Sequence, residues 1–287
     1  MKRFFPGILI VSSLLFAMCG STKNAQMPEA DLGWKLGSQA YTFRLFSFFE
    51  AIDKIDSCGL KYVEGFPGQN IGGGIEGKMD YHMEAAKRTQ ILELLKKKGV
   101  TIVAFGVVSP QPNSPDMRKE WEQLFEFAKA MGLENITSEP RRQDIDIVSE
   151  LAEKYKINVA IHNHPNPSYY WNPDTVLNTI RGKSKYLGAC ADIGHWVRSG
   201  LDPVEGLKKL EGHVKGLHVK DLNEKSRNAH DVPWGTGVSN IEGVLTELKR
   251  QHFKGMCSAE YEYAWEHNTL LVAQSAKYFR QVADKLN

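Results

Sequence analysis

Short apolar runs alternate with longer segments of helical period along this 287-residue chain, from Trp34 onward. Eight runs have the length and composition of buried strands. They are WKLGSQAY (34–41), LKYVEGF (60–66), VTIVAFGVV (100–108), ENITSE (134–139), INVAIH (157–162), YLGACAD (186–192), HVKGLHVK (213–220) and KGMCSAE (254–260). The intervening pattern predicts helices near 47–58, 82–98, 115–131, 141–156, 172–182, 202–212, 240–252 and 266–285. Three of these helices follow a capping residue and a proline: Ser114-Pro115, Asn172-Pro173 and Asp202-Pro203.

Eight strand-helix units over roughly 250 residues predict an α/β fold, a single (β/α)8 TIM barrel spanning residues 34–287. An open doubly wound sheet is the main competitor. Such a sheet commonly carries GxGxxG after its first strand, and no such sequence follows the first predicted strand here. The pattern therefore favours the closed barrel.

The first residues differ in kind from the rest. Lys2 and Arg3 precede the apolar run FFPGILIVSSLLFAM, which ends next to Cys19. A charged start followed by a short apolar run indicates an export signal, and the cysteine after it resembles the cleavage site of a bacterial lipoprotein. We expect a signal peptide over 1–19, a lipidated Cys19 and a polar tether over 20–33. The protein is then exported, either periplasmic or held at the membrane by its lipid anchor.

Composition excludes some classes of function. The net charge of +2 provides no basic surface for nucleic acid, and 42% hydrophobic residues is ordinary for a globular domain. The three remaining cysteines, Cys58, Cys190 and Cys257, are odd in number and scattered, so we expect buried thiols and no disulfide framework.

Polar residues stand at the predicted strand ends, where the active site of a TIM barrel lies. Alternation along each strand points one set of side chains into the barrel. That set contains Glu64, Glu139, His162, His164, Asp192, His218, Lys220 and Glu260. Clustered carboxylates are costly to bury unless they are protonated, paired or bound to a cation. A divalent ion resolves the repulsion, and a mixed oxygen and nitrogen donor set suits Mn²⁺, our preferred ion, or Mg²⁺, Co²⁺ or Zn²⁺.

Four segments carry a resemblance to a known group of proteins. They are ADIGHW (191–196), GLHVKD (216–221), VPWGTGVSNIEGVLTEL (232–248) and SAEYE (258–262). In order, they resemble motifs of the xylose isomerase-like sugar isomerase/epimerase superfamily, which also includes inosose dehydratases and endonuclease IV. The resemblance covers essentially everything after Trp34.

The resemblance implies one divalent metal ion and assigns several residues. Asp192, His218 and Glu260 match ligand positions, and His195 matches a residue that contacts substrate hydroxyls. The epimerases place a metal-binding, proton-abstracting glutamate at the end of strand 5, where this chain has His162. We therefore expect Glu139, at the end of strand 4, to be the replacement fourth ligand, with a histidine of strand 5 as the alternative.

The implied reaction is abstraction of a proton α to the carbonyl of a sugar or keto-sugar, through a metal-stabilised enediolate. We expect His162, His164, Glu260 and Lys220 to be catalytic. For substrate contacts we expect Glu64 and His195, with Trp196 and Trp234 stacking on the sugar. An isomerase or epimerase is the first hypothesis. The histidines of strand 5 motivate the alternative, an inosose dehydratase-like lyase or hydratase acting on 3-keto sugars or 3-keto-glycosides.

Two rivals belong to other classes. A nuclease of the endonuclease IV type needs more His and Glu ligands and a basic surface. A sugar-binding protein without activity does not require clustered carboxylates. The partner we expect is a small sugar, with no nucleic acid; the sequence is compatible with a homo-oligomer.

Overall fold

The computed structural model describes residues 27–287 and, before them, only Met1. The predicted signal peptide with Cys19 and the first part of the predicted tether lie outside the described residues. The remainder of the tether belongs to the folded domain. It forms a short helix, Pro28–Asp31, whose Glu29 is buried and pairs with Arg280 at 2.9 Å. The folded domain thus begins before Trp34, the boundary expected from the sequence.

Twelve strands occur within residues 27–287. They are β1 (Trp34–Gln39), β2 (Tyr62–Gly65), β3 (Asn70–Gly72), β4 (Ile75–Lys78), β5 (Thr101–Phe105), β6 (Asn135–Ser138), β7 (Asn158–His162), β8 (Leu187–Asp192), β9 (Val214–Val219), β10 (Asp221–Leu222), β11 (Asp231–Val232) and β12 (Gly255–Ala259). The α-helices are α1 (Pro28–Asp31), α2 (Phe48–Ser57), α3 (Ala85–Lys98), α4 (Met117–Met131), α5 (Ile145–Tyr155), α6 (Pro173–Ile180), α7 (Ile193–Arg198), α8 (Pro203–Lys209), α9 (Ile241–Arg250) and α10 (Thr269–Leu286).

Eight parallel strands close into a barrel in the order β1-β12-β9-β8-β7-β6-β5-β2, and β2 pairs with β1. Each barrel strand coincides with one predicted run, so the (β/α)8 barrel is confirmed. Because all the strands run in the same direction, the residues that end them gather at one rim of the barrel.

Side-chain alternation on the strands matches the expected parity. Val159 and Ile161 on β7 are fully buried and share the main hydrophobic core with Val148 and Leu151 of α5. Burying each such side chain contributes about 1.5–3 kcal/mol. The intervening residues of β7 are thereby held toward the barrel interior, which is how His162 reaches the site.

The residues that cap the helices agree only in part with the prediction from the sequence. Asn172 and Asp202 cap α6 and α8 as predicted. For α4, however, the cap is Asp116, which accepts a hydrogen bond from the Lys119 N–H, and Ser114 lies before the helix. Helix α7 was not predicted, because it follows β8 without a loop. Its cap is Asp192, the last residue of the strand.

The glycine-rich segment IGGGIEG (71–77) lies in the antiparallel hairpin β3–β4. Ile71 is buried, and the turn rests on α2. Gly72 has φ +72°, and a Cβ there would lie 2.4 Å from the Ser47 hydroxyl oxygen. Glycine is needed at this position because the backbone is left-handed and approaches its neighbour closely.

A second fixed segment follows β9. The carboxylate of Asp221 accepts hydrogen bonds from the backbone N–H groups of Gly235, Gly237 and Ser239 at 2.8–2.9 Å. A Cβ on Gly237 would lie 2.4 Å from the Asp221 carboxylate, so this position also requires glycine. The loop between β11 and α9 is thus tied to the end of a barrel strand.

One sequence expectation concerns the cysteines. Cys58, Cys190 and Cys257 are buried and unpaired, as expected. Among residues 27–287, none of the helices has the length and apolarity required to cross a bilayer.

Candidate functional site

Four side chains from four strand ends converge inside the rim of the barrel. They are His162, Asp192, His218 and Glu260, and one nitrogen or oxygen atom of each lies within 4.8 Å of those of the others. All four residues are buried, with exposed fractions of 5% or less. Two carboxylates and two imidazoles at this separation form a compact mixed donor set.

Each histidine of the cluster is held by a carboxylate on its outer side. Glu64 Oε2 lies 2.8 Å from His218 Nε2, and Glu139 Oε1 lies 2.9 Å from His162 Nδ1. These contacts leave His218 Nδ1 and His162 Nε2 directed into the cluster. A carboxylate on the outer nitrogen is the usual companion of a metal-binding histidine, because it fixes the ring and its tautomer.

Unsatisfied polar atoms test whether the cluster fits a metal ion. Within the described part of the chain, His162 Nε2 and His218 Nδ1 are buried without a well-formed hydrogen bond, and each faces a carboxylate: Asp192 Oδ2 lies 3.5 Å from His162 Nε2, and Glu260 Oε2 lies 2.9 Å from His218 Nδ1. Buried polar atoms are normally paired, and a cation between these nitrogens and carboxylates would satisfy both. Two imidazole nitrogens with two carboxylates suit a divalent cation such as Mn²⁺ or Zn²⁺. The residues fit a metal site.

The structure brings three of the four expected ligands together. Asp192, His218 and Glu260 lie in the cluster with His162, and Glu139 lies in a second group of close donor atoms with His162 and His164. Glu139 stands one residue beyond β6, where its carboxylate reaches the outer nitrogen of His162. It therefore supports the cluster from outside, and His162, expected as a base, has one ring nitrogen turned toward Glu139 and the other toward Asp192.

Lys220 lies fully buried among the carboxylates. Its Nζ is 2.7 Å from Asp192 Oδ2, 2.7 Å from Glu260 Oε2 and 3.3 Å from Glu262 Oε2. Burial alone would lower the pKa of Lys220, but these three carboxylates raise it well above its ordinary value. The ammonium therefore stays charged and offsets part of the negative charge of the site.

His164 occupies a different environment from its neighbour two residues earlier. Its side chain is 51% exposed, and its Nδ1 contacts Glu139 Oε1. Burial opposes ionisation of Glu139, yet its hydrogen bonds to His162 and His164 lower its pKa to about 2. Glu139 is thus a carboxylate shared by two imidazoles, one buried in the cluster and one open to solvent.

His195, expected to contact substrate, is 5% exposed and lies beside the cluster. Its Nδ1 lies 3.1 Å from Arg198 Nη1, and its Nε2 lies 3.4 Å from Lys220 Nζ. Burial, assisted by the charge of Lys220, lowers the pKa of His195 well below its usual value. The ring is therefore neutral and sits 3.6 Å from the carboxylate of Asp192.

Three residues expected at the substrate have other surroundings. Trp196 is 1% exposed and packs against Gly206 of α8, and Trp234 is 3% exposed and packs against Phe279 of α10. Both are apolar rings of the core, so the expectation that they stack on sugar is wrong. Glu64 is 2% exposed behind His218 and holds that ring.

A cavity of about 180 Å³ opens onto this cluster. Its lining consists of Gln39, Tyr41, Phe66, Val107, His164, Glu260 and Glu262. A larger surface depression of about 400 Å³ lies beside α10 and contains none of the site residues. Tyr41 and Phe66 escaped the sequence reasoning because they follow their strands within ordinary apolar runs. Glu262 carried a signal, since it stands two residues after Glu260 on the same face.

The barrel and its rim of carboxylates and imidazoles define a class of TIM-barrel proteins with a candidate metal site at the strand ends. The family model of the xylose isomerase-like TIM barrel matches residues 52–282. The chain belongs to this family. The family points to sugar isomerase, epimerase or dehydratase enzymes.

Particular relatives agree with that assignment. An inosose dehydratase of Bacillus cereus (strain AH820) is 24% identical in an alignment of 131 residues, and the match covers 40% of this chain and 44% of the relative. The matched part thus spans less than half of the curated relative. The crystal structure of an uncharacterised protein from Parabacteroides distasonis is 34% identical, with a TM-score of 0.70 over 87% of this chain and 98% of that one. A D-tagatose 3-epimerase-like protein is 20% identical, with a TM-score of 0.67 over 88% and 99% of the two chains, and shows the same fold.

Proposed function

We propose that this protein is a divalent-metal-dependent enzyme that removes a proton α to the carbonyl of a sugar or keto-sugar. The observation that carries the proposal is the convergence of His162, Asp192, His218 and Glu260 beside a small cavity, with the inner nitrogen of each imidazole facing a buried carboxylate. These four residues would hold the ion. When bound, the ion polarises the substrate carbonyl and its neighbouring hydroxyl, which acidifies the adjacent C–H bond.

His164 is the residue best placed to take the proton. It lines the cavity, and Glu139 holds its Nδ1, which leaves Nε2 as the nitrogen for the substrate. A histidine with one nitrogen held by a carboxylate has a fixed orientation and can act as a general base through the other nitrogen. Both histidines of this strand were predicted to be catalytic. We assign His164 as the base and His162 to the metal site.

Lys220 supports this chemistry as a fixed countercharge. Its contacts with Asp192 and Glu260 keep both carboxylates ionised despite their burial. Ionised carboxylates are the form that binds a cation. Lys220 is fully buried and paired with these carboxylates, which favours a role as countercharge over the direct catalytic role expected from the sequence.

The product is either an epimer or the unsaturated sugar formed by elimination. Which one forms depends on whether the site offers a second acid or base. Epimerisation needs a base on each face of the reacting carbon. In this cavity the other acidic groups, Glu260 and Glu262, are engaged by Lys220, and Glu262 also pairs with Arg198 at 3.0 Å. One available imidazole suits elimination, so a dehydratase-like lyase or hydratase acting on a 3-keto sugar is the second candidate. The inosose dehydratase relative supports this candidate.

Deuterium exchange tests the shared step. Metal-loaded protein is incubated in D₂O with ketohexoses and with 3-keto-glucosides, and ¹H NMR follows the loss of the α proton. We expect exchange into at least one substrate, suppressed by EDTA and by His164→Asn. A returned epimer identifies the isomerase, and an unsaturated or hydrated product identifies the lyase. A protein that binds no divalent ion and is insensitive to EDTA contradicts the proposal.

Export and lipid attachment at Cys19 remain predictions from the sequence. They are tested by metabolic labelling with a radioactive fatty acid in a bacterial host. The wild-type chain should carry label in the membrane fraction, and Cys19→Ala should not.

A further inference from the structure

The cavity beside the cluster has two chemically different walls. His164, Glu260 and Glu262 form a polar wall, and Tyr41, Phe66 and Val107 form what we call the aromatic wall. Tyr41 and Phe66 are only partly buried, so their rings face the cavity without being enclosed by the core. A catalytic site for a small polar sugar needs the first wall; the second requires its own explanation.

The aromatic wall is built as a unit. Tyr41 packs edge-to-face on Phe66, with ring centroids 4.9 Å apart, and on Trp265, with centroids 5.5 Å apart. The guanidinium of Arg44 lies 4.1 Å from the Trp265 ring centroid and donates a hydrogen bond to the Tyr41 hydroxyl. Edge-to-face pairs of this kind fix the orientation of the rings. Tyr41 is therefore held in place before any ligand arrives.

Hydrogen bonds also fix the distance between the two walls. The Gln39 side chain donates to the Gly106 carbonyl at 2.6 Å and accepts from the Tyr41 N–H. The hydroxyl of Thr42 donates to the Ala259 carbonyl and accepts from the Tyr261 N–H, each at 3.0 Å. Ala259 and Tyr261 flank Glu260. The loop that carries Tyr41 is thus anchored directly to the backbone that carries the carboxylate.

We propose that the aromatic wall is a subsite for a second, non-reacting ring, so that the substrates are uncharged glycosides with a sugar or aryl ring attached to the reacting sugar. The inference rests on the proposed function, which places the reacting sugar against His164. Aromatic side chains pack well against the flat apolar face of a pyranose or an aryl ring. A preformed wall lowers the cost of ordering the site around the ligand.

Charge disfavours a sugar phosphate as the substrate. None of the residues that line the cavity, all within the described chain, is a lysine or arginine, and two are glutamates. Arg44, at the edge of the aromatic wall, is engaged by Tyr41 and Trp265. A phosphate normally requires free cationic or N–H donors, so a neutral ring fits this wall better.

Binding of unoxidised glycosides tests the subsite without relying on the reaction. Calorimetry with the purified, Mn²⁺-loaded full chain compares methyl β-D-glucoside, phenyl β-D-glucoside, cellobiose and glucose 6-phosphate. We expect phenyl glucoside or cellobiose to bind about 3- to 10-fold more tightly than methyl glucoside. Preference for the phenyl compound identifies an aryl ring, and preference for cellobiose identifies a second sugar. Equal binding of all three glycosides, or tighter binding of the phosphate, overturns the proposal.

Substitutions in the aromatic wall test whether this wall causes the preference for a second ring. Phe66→Ala should abolish the preference, and Phe66→Leu, which keeps the apolar volume, should reduce it while preserving the fold. The matched control is Tyr186→Ala, since Tyr186 precedes β8 at the opposite end of the barrel. A preference that survives in both Phe66 variants overturns the subsite. Because deuterium exchange is measured separately, ring preference without exchange counts against the proposed reaction and not against the subsite.

Discussion

Glu139 Oε1 lies 2.9 Å from His162 Nδ1, and this contact directs the opposite nitrogen of the ring toward Asp192, 3.5 Å away. Glu64 does the same for His218 from the other side of the barrel. The two glutamates are therefore the groups that decide which nitrogens face the cluster. This relationship leads directly to a test of metal affinity.

Glu139→Gln should weaken binding of a divalent ion about 10- to 100-fold, because such outer carboxylates orient the ligand and increase its basicity. Competition with a fluorescent chelator measures the affinity, and circular dichroism monitors the fold. Glu134→Gln is the matched control, since Glu134 lies just before β6 and pairs with Lys35 at the other end of the strand. Equal affinity in both variants would show that Glu139 does not orient His162.

Substitutions of His162 and His164 should have different effects. His162→Ala removes a cluster member, and we expect the bound metal to fall well below one ion per chain. His164→Ala should retain the ion and lose α-proton exchange by about 10²- to 10⁴-fold, the usual contribution of a general base. Elemental analysis and NMR give the two readouts. Full metal content in His162→Ala, with loss in Glu139→Ala, would restore Glu139 as the fourth ligand.

Lys220→Met should destabilise the metal-free protein by about 3–5 kcal/mol, because removal of one partner leaves buried carboxylates without a countercharge. Urea unfolding in EDTA measures this loss, and adding Mn²⁺ should recover part of it. Lys209→Met is the control. Lys209 pairs with Asp174 on the surface, where such pairs contribute about 0–1 kcal/mol. If the two variants lose equal stability, Lys220 is not the countercharge.

Asp231 should make stability depend on pH. Its carboxyl is buried; Oδ2 lies 3.2 Å from Arg198 Nη2, and Oδ1 has no partner among the described residues. Burial raises the pKa of Asp231 to about 7, outweighing the opposing charges of Lys220 and Arg198. In the unfolded chain the pKa is about 3.9. The folded protein therefore holds a proton that the unfolded chain has released, and stability falls as pH rises from about 4 to about 7.

Asp231→Asn removes this proton and reveals its contribution. The free energy of unfolding of the wild type minus that of Asp231→Asn should decrease with rising pH, by up to about 1.4 kcal/mol per pH unit, and level off above pH 7. Urea unfolding at several pH values between 4.5 and 8.5 measures the difference. A difference that is constant or increases over this range would show that Asp231 is ionised in the fold.

The barrel was predictable because its signal is local. Each strand is a short apolar run, and burial on both faces of β7 or β8 leaves little room for another assignment. The rim residues were predictable for the same reason, since alternation along β7 and β9 fixes which side His162 and His218 take.

Contacts between side chains of different strands were harder to predict. The choice between Glu139 and His162 depends on how far a side chain one residue beyond β6 can reach, which no spacing within the sequence records. The prediction that Trp196 and Trp234 face the substrate failed for a related reason. Trp196 follows a strand, but α7 begins at once and turns its ring into the core against α8. Phe66, in an ordinary apolar run, lines the cavity instead.

The pairing of β1 with β12 has a consequence for biosynthesis. The ring of strands stays open until Gly255–Ala259 has left the ribosome, because β1 pairs with β2 on one side and finds its neighbour on the other side only in the last strand. Thr42 and Ala259, far apart in synthesis, are joined at the same moment. A nascent chain shorter than this therefore has neither a closed core nor a complete cavity, and its exposed strand edges are what a chaperone would have to protect.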